Sequence, residues 1–423
     1  MSRIRTIFSS FILLALCSAS YALESTAPAD AGIIPQRLAR IEVAVNEAIE
    51  AGEIPGAVAL IVRDGKTVYH EAFGYADIAS KRPMKTDDIF RIASMTKAIT
   101  SVGVMMLYEQ GELSLYEPIA KYLPEFAEMQ VLSELNEDGT VKSTTPATKP
   151  ITIVDLLTHT SGLAYKFIPG QLQKTYTDAG VIDGLTDSDL VLADNIELLA
   201  KQPLLFEPGS KFNYGLSTDV LGRLIEVVSG QSLAAFIAEH ITGPLDMSDT
   251  SFYLPEAKHA RLVTLYSHVD GQGLVNSKEV ESIIQYGDPD YPITGAQTYF
   301  SGGAGLSSTA YDYARFIQMM LNDGVLEGVR ILGRKSVELM RTARVDWDND
   351  QNPDFGLGFR ITNDLGKGNS LGSVGAYSWG GAFYTSFWID PKEGLVAVFM
   401  SQGRPIKSDI AGVFKTLVYQ SLE

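Results

Sequence analysis

Ser94-Met95-Thr96-Lys97 has the clearest chemical potential of any segment in this sequence. A serine hydroxyl attacks a carbonyl at neutral pH only when a base lies within hydrogen-bond reach. Positions i and i+3 of a helix share a face one turn apart, so a helix opening at Ser94 would set the Lys97 amine beside the Ser94 hydroxyl. It would also bring the positive end of that helix close to any oxyanion formed there. The run from Ala98 to Leu107 is helix-compatible and apolar nearly all round, which predicts a helix buried in the middle of a domain. The plainer alternative is a serine N-cap with a solvated lysine in the first turn. Against it stands the apolar surrounding, which gives Lys97 few routes to water. No other Ser-x-x-Lys occurs in the chain.

Two further segments could serve such a serine. In Glu207-Pro208-Gly209-Ser210-Lys211-Phe212-Asn213-Tyr214-Gly215-Leu216-Ser217, a Pro-Gly turn delivers an aromatic stretch directly before a helix predicted over Leu221–Val228. Tyr214 therefore stands on a structural corner, as a packing residue or as a proton carrier. Trp379-Gly380-Gly381 precedes a predicted strand, Phe383–Ile389. Its glycines permit close approach by a ligand or simply a bulge. Taken singly, neither segment assigns a function.

The elements that must position these residues are legible at both ends of the chain. Leu38, Ile41, Val45, Ala48 and Ile49 recur at helical spacing until Gly52. Strand-like Ala57–Val62 and Thr67–Phe73 follow, joined at Asp64-Gly65, a strong hairpin signal. The C-terminal end mirrors this order: strands over Phe383–Ile389 and Leu395–Ser401, then an amphipathic helix carrying Ile410, Val413, Phe414, Leu417 and Val418. Such ends predict one antiparallel sheet assembled from both termini. The middle, 111–300, reads as helices and loops, with Leu132–Pro150 a polar surface excursion. The expected division is 34–110 with 301–423 as a discontinuous α/β sheet domain, and 111–300 as a helical subdomain.

In this order and at these separations, the motifs resemble the serine β-lactamase, D,D-peptidase and family VIII carboxylesterase superfamily. Phe90-Arg91-Ile92-Ala93-Ser94, Asp155-Leu156-Leu157-Thr158-His159-Thr160-Ser161-Gly162-Leu163 and Gly302-Gly303-Ala304-Gly305-Leu306-Ser307-Ser308-Thr309 add to the likeness, which runs from about Ile34 to Leu417. The resemblance is closest to the family VIII carboxylesterases, themselves similar to class C β-lactamases. It implies an α/β (α+β) penicillin-binding-protein and β-lactamase-like fold: an antiparallel sheet flanked by helices, an all-helical subdomain, and the site in the cleft between them. It implies Ser94 as the acyl-accepting nucleophile, Lys97 as general base or proton store and Tyr214 as second proton carrier. The backbone N–H groups of Ser94 and Ala382 would form the oxyanion hole, and Trp379, Gly380, Gly381 and Leu216 would contact substrate. His159 falls in a family phrase whose role is structural.

Two departures bear on substrate. Tyr214-Gly215-Leu216 stands where β-lactamases carry Tyr-x-Asn, and Trp379-Gly380-Gly381 where they carry Lys-Thr-Gly, so an amide and a cation that hold a lactam are missing. A Glu-x-x-Leu-Asn element for activating a deacylating water is also absent. The lost groups recognise the lactam and neither transfers an acyl group, which favours a carboxylic ester as substrate. A β-lactamase, an amidase or D-amino peptidase, an acyltransferase and a non-catalytic cell-wall-sensing relative remain the alternatives.

Composition bounds the partners. The chain has 423 residues, 45% hydrophobic and 20% charged, with a formal charge of −17 and no basic cluster. Nucleic acid and anionic lipid would be repelled by that field. Five histidines, none at metal-ligand spacing, predict neither metal nor cofactor. Arg3 and Arg5, an apolar run from Ile7 to Ala19, and Ser20-Tyr21-Ala22 read as a secretory signal cleaved after Ala22, with no stable membrane anchor. Cys17, the one cysteine, would leave with it. The expected mature enzyme is thus exported, periplasmic or extracellular, and acts on a small ester or acyl substrate.

Overall fold

The computed structural model describes residues 23–170, 172–280, 289–348, 350, 352–368 and 370–423. The proposed export signal and its cleavage site at Ala22 lie outside the described residues. Seven strands form the main sheet: β1 (Gly56–Arg63), β2 (Lys66–Asp77), β3 (Arg82–Pro83), β4 (Arg360–Ile361), β5 (Tyr377–Gly381), β6 (Thr385–Asp390) and β7 (Leu395–Met400). The principal helices are α1 (Arg40–Glu50), α2 (Thr96–Glu109), α3 (Ser217–Ser229), α4 (Ala310–Leu321) and α5 (Ile410–Gln420).

The sheet runs β4-β5-β6-β7-β1-β2-β3, with every neighbour antiparallel. The first and last hairpins meet where β1 lies beside β7, with Val58 opposite Met400 and Arg63 opposite Leu395. Asp64 and Gly65 take φ values of 50° and 76°, the left-handed pair that closes a tight hairpin between twisted strands. Both faces of the two central strands are buried, so their side chains divide by parity. Ala57, Ala59, Ile61, Leu395, Ala397 and Phe399 pack beneath α1 and α5, against Ile41, Val45, Phe414 and Val418. Val58, Leu60, Val62, Val396, Val398 and Met400 face the other way, into the cluster that holds α2, α3 and α4. Each fully buried Val, Leu or Ile there contributes about 1.5–3 kcal/mol.

Helix α2 is sealed in that second cluster. From Asp88 to Met105 every residue is buried except Ser94. Three local expectations change. The helix does not open at Ser94: Ala93–Met95 form a single 3-10 turn and the α-helix begins at Thr96. Ala93 sits at φ 42°, a left-handed conformation that costs a non-glycine residue on the order of 1–3 kcal/mol and turns the chain sharply before Ser94. Trp379-Gly380-Gly381 does not lead into the strand; it is the second half of β5, and the next strand begins at Thr385 rather than Phe383 after a turn with Tyr384 at φ 69°. Glycines that read as breakers are tolerated here because β5 is paired on both sides near its start.

The middle region is not all-helical. It carries two hairpins, Gln130–Leu135 with Val141–Pro146 and Tyr266–Val269 with Gly273–Asn276. The first lies in the segment expected to be a polar surface excursion. Its polar composition hid a strand pair whose side chains mostly face solvent. Among the described residues, no single helix is long and apolar enough to cross a membrane.

Candidate active site

Helix α2, strand β5 and two segments of the middle region converge on Ser94. Gly302–Ser308 runs alongside the start of α2: Leu306 O accepts from Ile92 N at 3.1 Å, Thr96 Oγ1 accepts from Leu306 N at 3.0 Å, and Thr100 Oγ1 donates to Gly302 O at 2.8 Å. Opposite, β5 nests against the turn before Ser94. A Cβ on Gly381 would fall 2.3 Å from Ile92 O, so only glycine lets this strand end approach the serine turn. Ala382, the residue after β5, is thereby held beside Ser94 in the wall of the same cleft.

Lys97 is 2% exposed and its Nζ donates to three acceptors: Gly303 O at 2.6 Å, Tyr165 Oη at 2.9 Å and Ser94 Oγ at 3.3 Å. Three acceptors match the three N–H bonds of an ammonium. The cation also lies over the ring of Tyr214, 4.7 Å from its centroid. Tyr214 comes from the loop before α3, and its ring packs against His159 at 4.9 Å, Tyr165 at 5.4 Å and Trp379 at 5.7 Å. Tyr214 Oη and Trp379 Nε1 are both buried without a hydrogen-bond partner among the described residues, and both side chains line the cleft. Leaving such a group unpaired costs about 1–3 kcal/mol, which a polar substrate atom can relieve.

Two residues of this cluster are not singled out by sequence. Tyr165 follows the Asp155–Leu163 phrase by two positions; burial, then the neighbouring Tyr214 and Asp219, push its phenol well above the usual range, so it is a neutral donor and acceptor. Asp219, in the first turn of α3, is fully buried. Its Oδ1 accepts from Ser301 Oγ at 2.6 Å, and Oδ2 lies against Gly303, where a Cβ would sit 2.4 Å away. Burial raises its carboxyl to about 6, opposed by the Ser301 hydrogen bond and the charge of Lys97. Lys97 and Asp219 thus flank Gly303 as a cation and an acid that never touch. An acidic residue on the otherwise apolar face of α3 (Val220, Leu221, Leu224, Ile225) is the signal that could have revealed it.

His159 is buried between Phe212, Tyr214 and Phe355, and desolvation, aided by the charge of Lys97, holds its imidazole well below the usual range. It is a neutral packing ring. Leu216 does not reach the cleft: it is fully buried at the N-cap of α3 and its N–H donates to Ala164 O at 3.3 Å. A leucine at the start of a core helix is drawn inward, so the position that carries a ligand-binding amide in β-lactamases here belongs to the core.

The cleft encloses about 420 Å³ between Phe167, Ile168, Tyr214, Trp347, Trp379 and the backbone of Ser378–Ala382. The motif lysine is missing, as Trp379-Gly380-Gly381 implied, but two arginines from other segments lie at the cleft. Arg360, opposite Ser378 in the sheet, and Arg404, just beyond β7, are among its lining residues. Both lie far in sequence from the motif that would have supplied a lysine. Among the described residues, no group of three or more His, Cys, Asp or Glu side chains is arranged to hold a metal ion.

Comparison with known proteins adds to this geometry. Residues 40–413 match the Beta-lactamase family. The chain is 32% identical to esterase EstB of Burkholderia gladioli over 380 residues, 86% of this chain and 90% of that protein. It is 29% identical to lovastatin esterase of Penicillium rubens, covering 89% and 96% of the two chains. The solved structure of EstCE1, described as a hydrolase with promiscuous acyltransferase activity, superposes with a TM-score of 0.74 at 30% identity, over 91% of this chain and 99% of that one.

Proposed function

The chain belongs to the Beta-lactamase family and is a serine hydrolase of that fold, and from that premise we propose that it cleaves carboxylic esters through an acyl-enzyme on Ser94. The observation that carries this reading is Lys97 Nζ at 3.3 Å from Ser94 Oγ, the one accessible side chain in an otherwise buried stretch that faces Tyr214 across the cleft. Ser94 Oγ bonds to the ester carbonyl carbon as its proton passes to the Lys97–Tyr214 pair, which accepts it in its singly deprotonated form, as the lysine amine or as a tyrosinate beside the Lys97 ammonium. The backbone N–H groups of Ser94 and Ala382 stabilise the oxyanion, the kind of preorganised donor worth about 10²–10³ in rate. The alkoxide leaves with the stored proton. Water then attacks the acyl carbon, returning the acid product and the Ser94 hydroxyl.

Aromatic walls from Phe167, Trp347 and Trp379 suit an apolar acyl or alcohol group. They also favour a second reading, acyl transfer to an alcohol, because a bulky acceptor held there displaces the water that would hydrolyse the intermediate. The mature enzyme acts outside the cytoplasm, after cleavage past Ala22. A series of p-nitrophenyl esters, read with and without a serine-directed fluorophosphonate, tests the proposal. Ester turnover in the native protein falls by on the order of 10⁶ in Ser94→Ala, and the label maps to Ser94. Labelling at Ser161 or Ser307 instead overturns it; in the structure both are fully buried.

A further inference from the structure

Ile168 and Tyr214 line two cavities at once: the main chamber beside Ser94 and a side chamber of about 150 Å³. The side chamber continues past them to Ala164, Pro169, Leu172 and Leu205, and its described lining includes no charged residue. Two of its polar groups are already engaged. Tyr165 Oη is held by Lys97 at 2.9 Å, and Asn213 Nδ2 donates to Leu163 O at 2.8 Å. An apolar cavity of this size takes up a hydrocarbon of about six carbons. Neighbouring cavities differ: the one beside Ser94 and Ala382 carries Asp183 and Arg404, and the one lined by Ser378 carries Asp354 and Lys367.

The segment between the two chambers is tied down at its ends and not in its middle. The Asp183 carboxylate accepts from the backbone N–H groups of Lys166 at 3.1 Å and Phe167 at 2.9 Å. Gly170 O accepts from Gln173 N at 3.2 Å. Between these anchors, Ile168 and Pro169 make no backbone hydrogen bond to other described residues, and Ile168 is 38% exposed. The Ile168 side chain is therefore free to give way without breaking such a bond.

Resting on the acyl-enzyme reading above, we propose that the side chamber is a hydrocarbon subsite with Ile168 as the specificity-determining residue at its entrance. The preferred substrates are then esters with a linear chain of medium length. The ester carbonyl stays at Ser94 while the chain passes Ile168 and Tyr214 and ends against Leu172 and Leu205. Each methylene that leaves water for the chamber raises kcat/KM about fourfold until the space is filled. The chain belongs to the acyl half or to the alcohol half of the ester, and experiment separates the two.

On the acyl side, kcat/KM is measured for p-nitrophenyl esters from butanoate to dodecanoate, each below its solubility limit. On the alcohol side, it is measured for acetates of linear alcohols from butanol to dodecanol. The expected result is an optimum longer than four carbons in one arm, exceeding its four-carbon member by at least about tenfold. That ratio collapses towards one in Ile168→Trp, which blocks the entrance, and in Leu205→Trp, which fills the chamber. Because each ratio is taken within one preparation, it does not depend on the fraction of protein that is correctly folded. A ratio below tenfold in both arms of the native enzyme, or an undiminished ratio in either variant, overturns the inference while leaving the esterase reading intact. Absence of Ser94-dependent hydrolysis of the four-carbon esters removes both.

Discussion

The turn that carries Ser94 and Lys97 and the wall that faces it are built by different means. The turn is local: nucleophile and amine are three residues apart, and the helix behind them is buried on every side. The facing wall is assembled from Tyr165, Tyr214, Asp219 and Gly303, drawn from three separated segments, Tyr214 and Asp219 sharing one loop and helix start. A local pair is set chiefly by one 3-10 turn running into the helix. A distributed wall holds its shape only while its loops stay docked, so its members tune the reaction that the pair performs. Within the wall, the two tyrosines also differ. Tyr165 Oη is engaged by Lys97 at 2.9 Å, whereas Tyr214 Oη has no hydrogen-bond partner among the described residues and its ring lines the chamber.

Lys97→Ala tests the local half most severely. It removes the proton carrier and leaves Gly303 O and Tyr165 Oη without their donor, so kcat/KM on p-nitrophenyl esters should fall by 10⁴ or somewhat more, above the usual ~10²–10⁴ range for a lost acid–base group. Tyr214→Phe should cost roughly 10²–10⁴ on alkyl esters and less on p-nitrophenyl esters, whose leaving group needs no proton. Near-full activity on both esters would reduce Tyr214 to a packing ring. Tyr165→Phe deletes one hydrogen bond to a cation, worth about 1.5–3 kcal/mol, and is expected to lower turnover ten- to a hundredfold while also moving the pH profile. If Tyr165→Phe proves more damaging than Tyr214→Phe, the division between engaged and available hydroxyl is wrong.

The smallest effects concern pH. Asp219 ionises at about 6, so the counter-charge to Lys97 is present above that pH and lost below it. Native kcat/KM should decline as pH falls through about 6, and Asp219→Asn should lack that limb. Stability runs the other way. Burial raises Asp219, Asp183 and Asp312 alike from 3.8 to about 6. Between those values the unfolded chain has released protons that the fold would retain, so ionisation penalises the folded state as pH rises. Each group contributes on the order of 3 kcal/mol at most. The melting temperature of Asp312→Asn, remote from the cleft, should therefore vary less between pH 4 and pH 7 than that of the native protein.

The sequence was most informative where chemistry depends on neighbours along the chain. Ser94 and Lys97 follow from one helical turn. The Asp64-Gly65 hairpin, the terminal helices and the sheet built from both chain ends follow from periodicity and turn chemistry. The family motifs supplied Tyr214 and Trp379 by order and spacing. Polarity placed Gln130–Pro146 at the surface without revealing its strand pair, because a solvent-facing hairpin buries too little to show alternation, and glycine misled at Trp379-Gly380-Gly381, whose strand is held by its partners rather than by its own propensity. Tertiary structure alone decided that Leu216 joins the core, that Tyr165 and Asp219 gather around Lys97, and that Arg360 and Arg404 come to line the cleft. Burial and charge proximity are set by which distant segments pack together, and one-dimensional spacing carries no record of that distance.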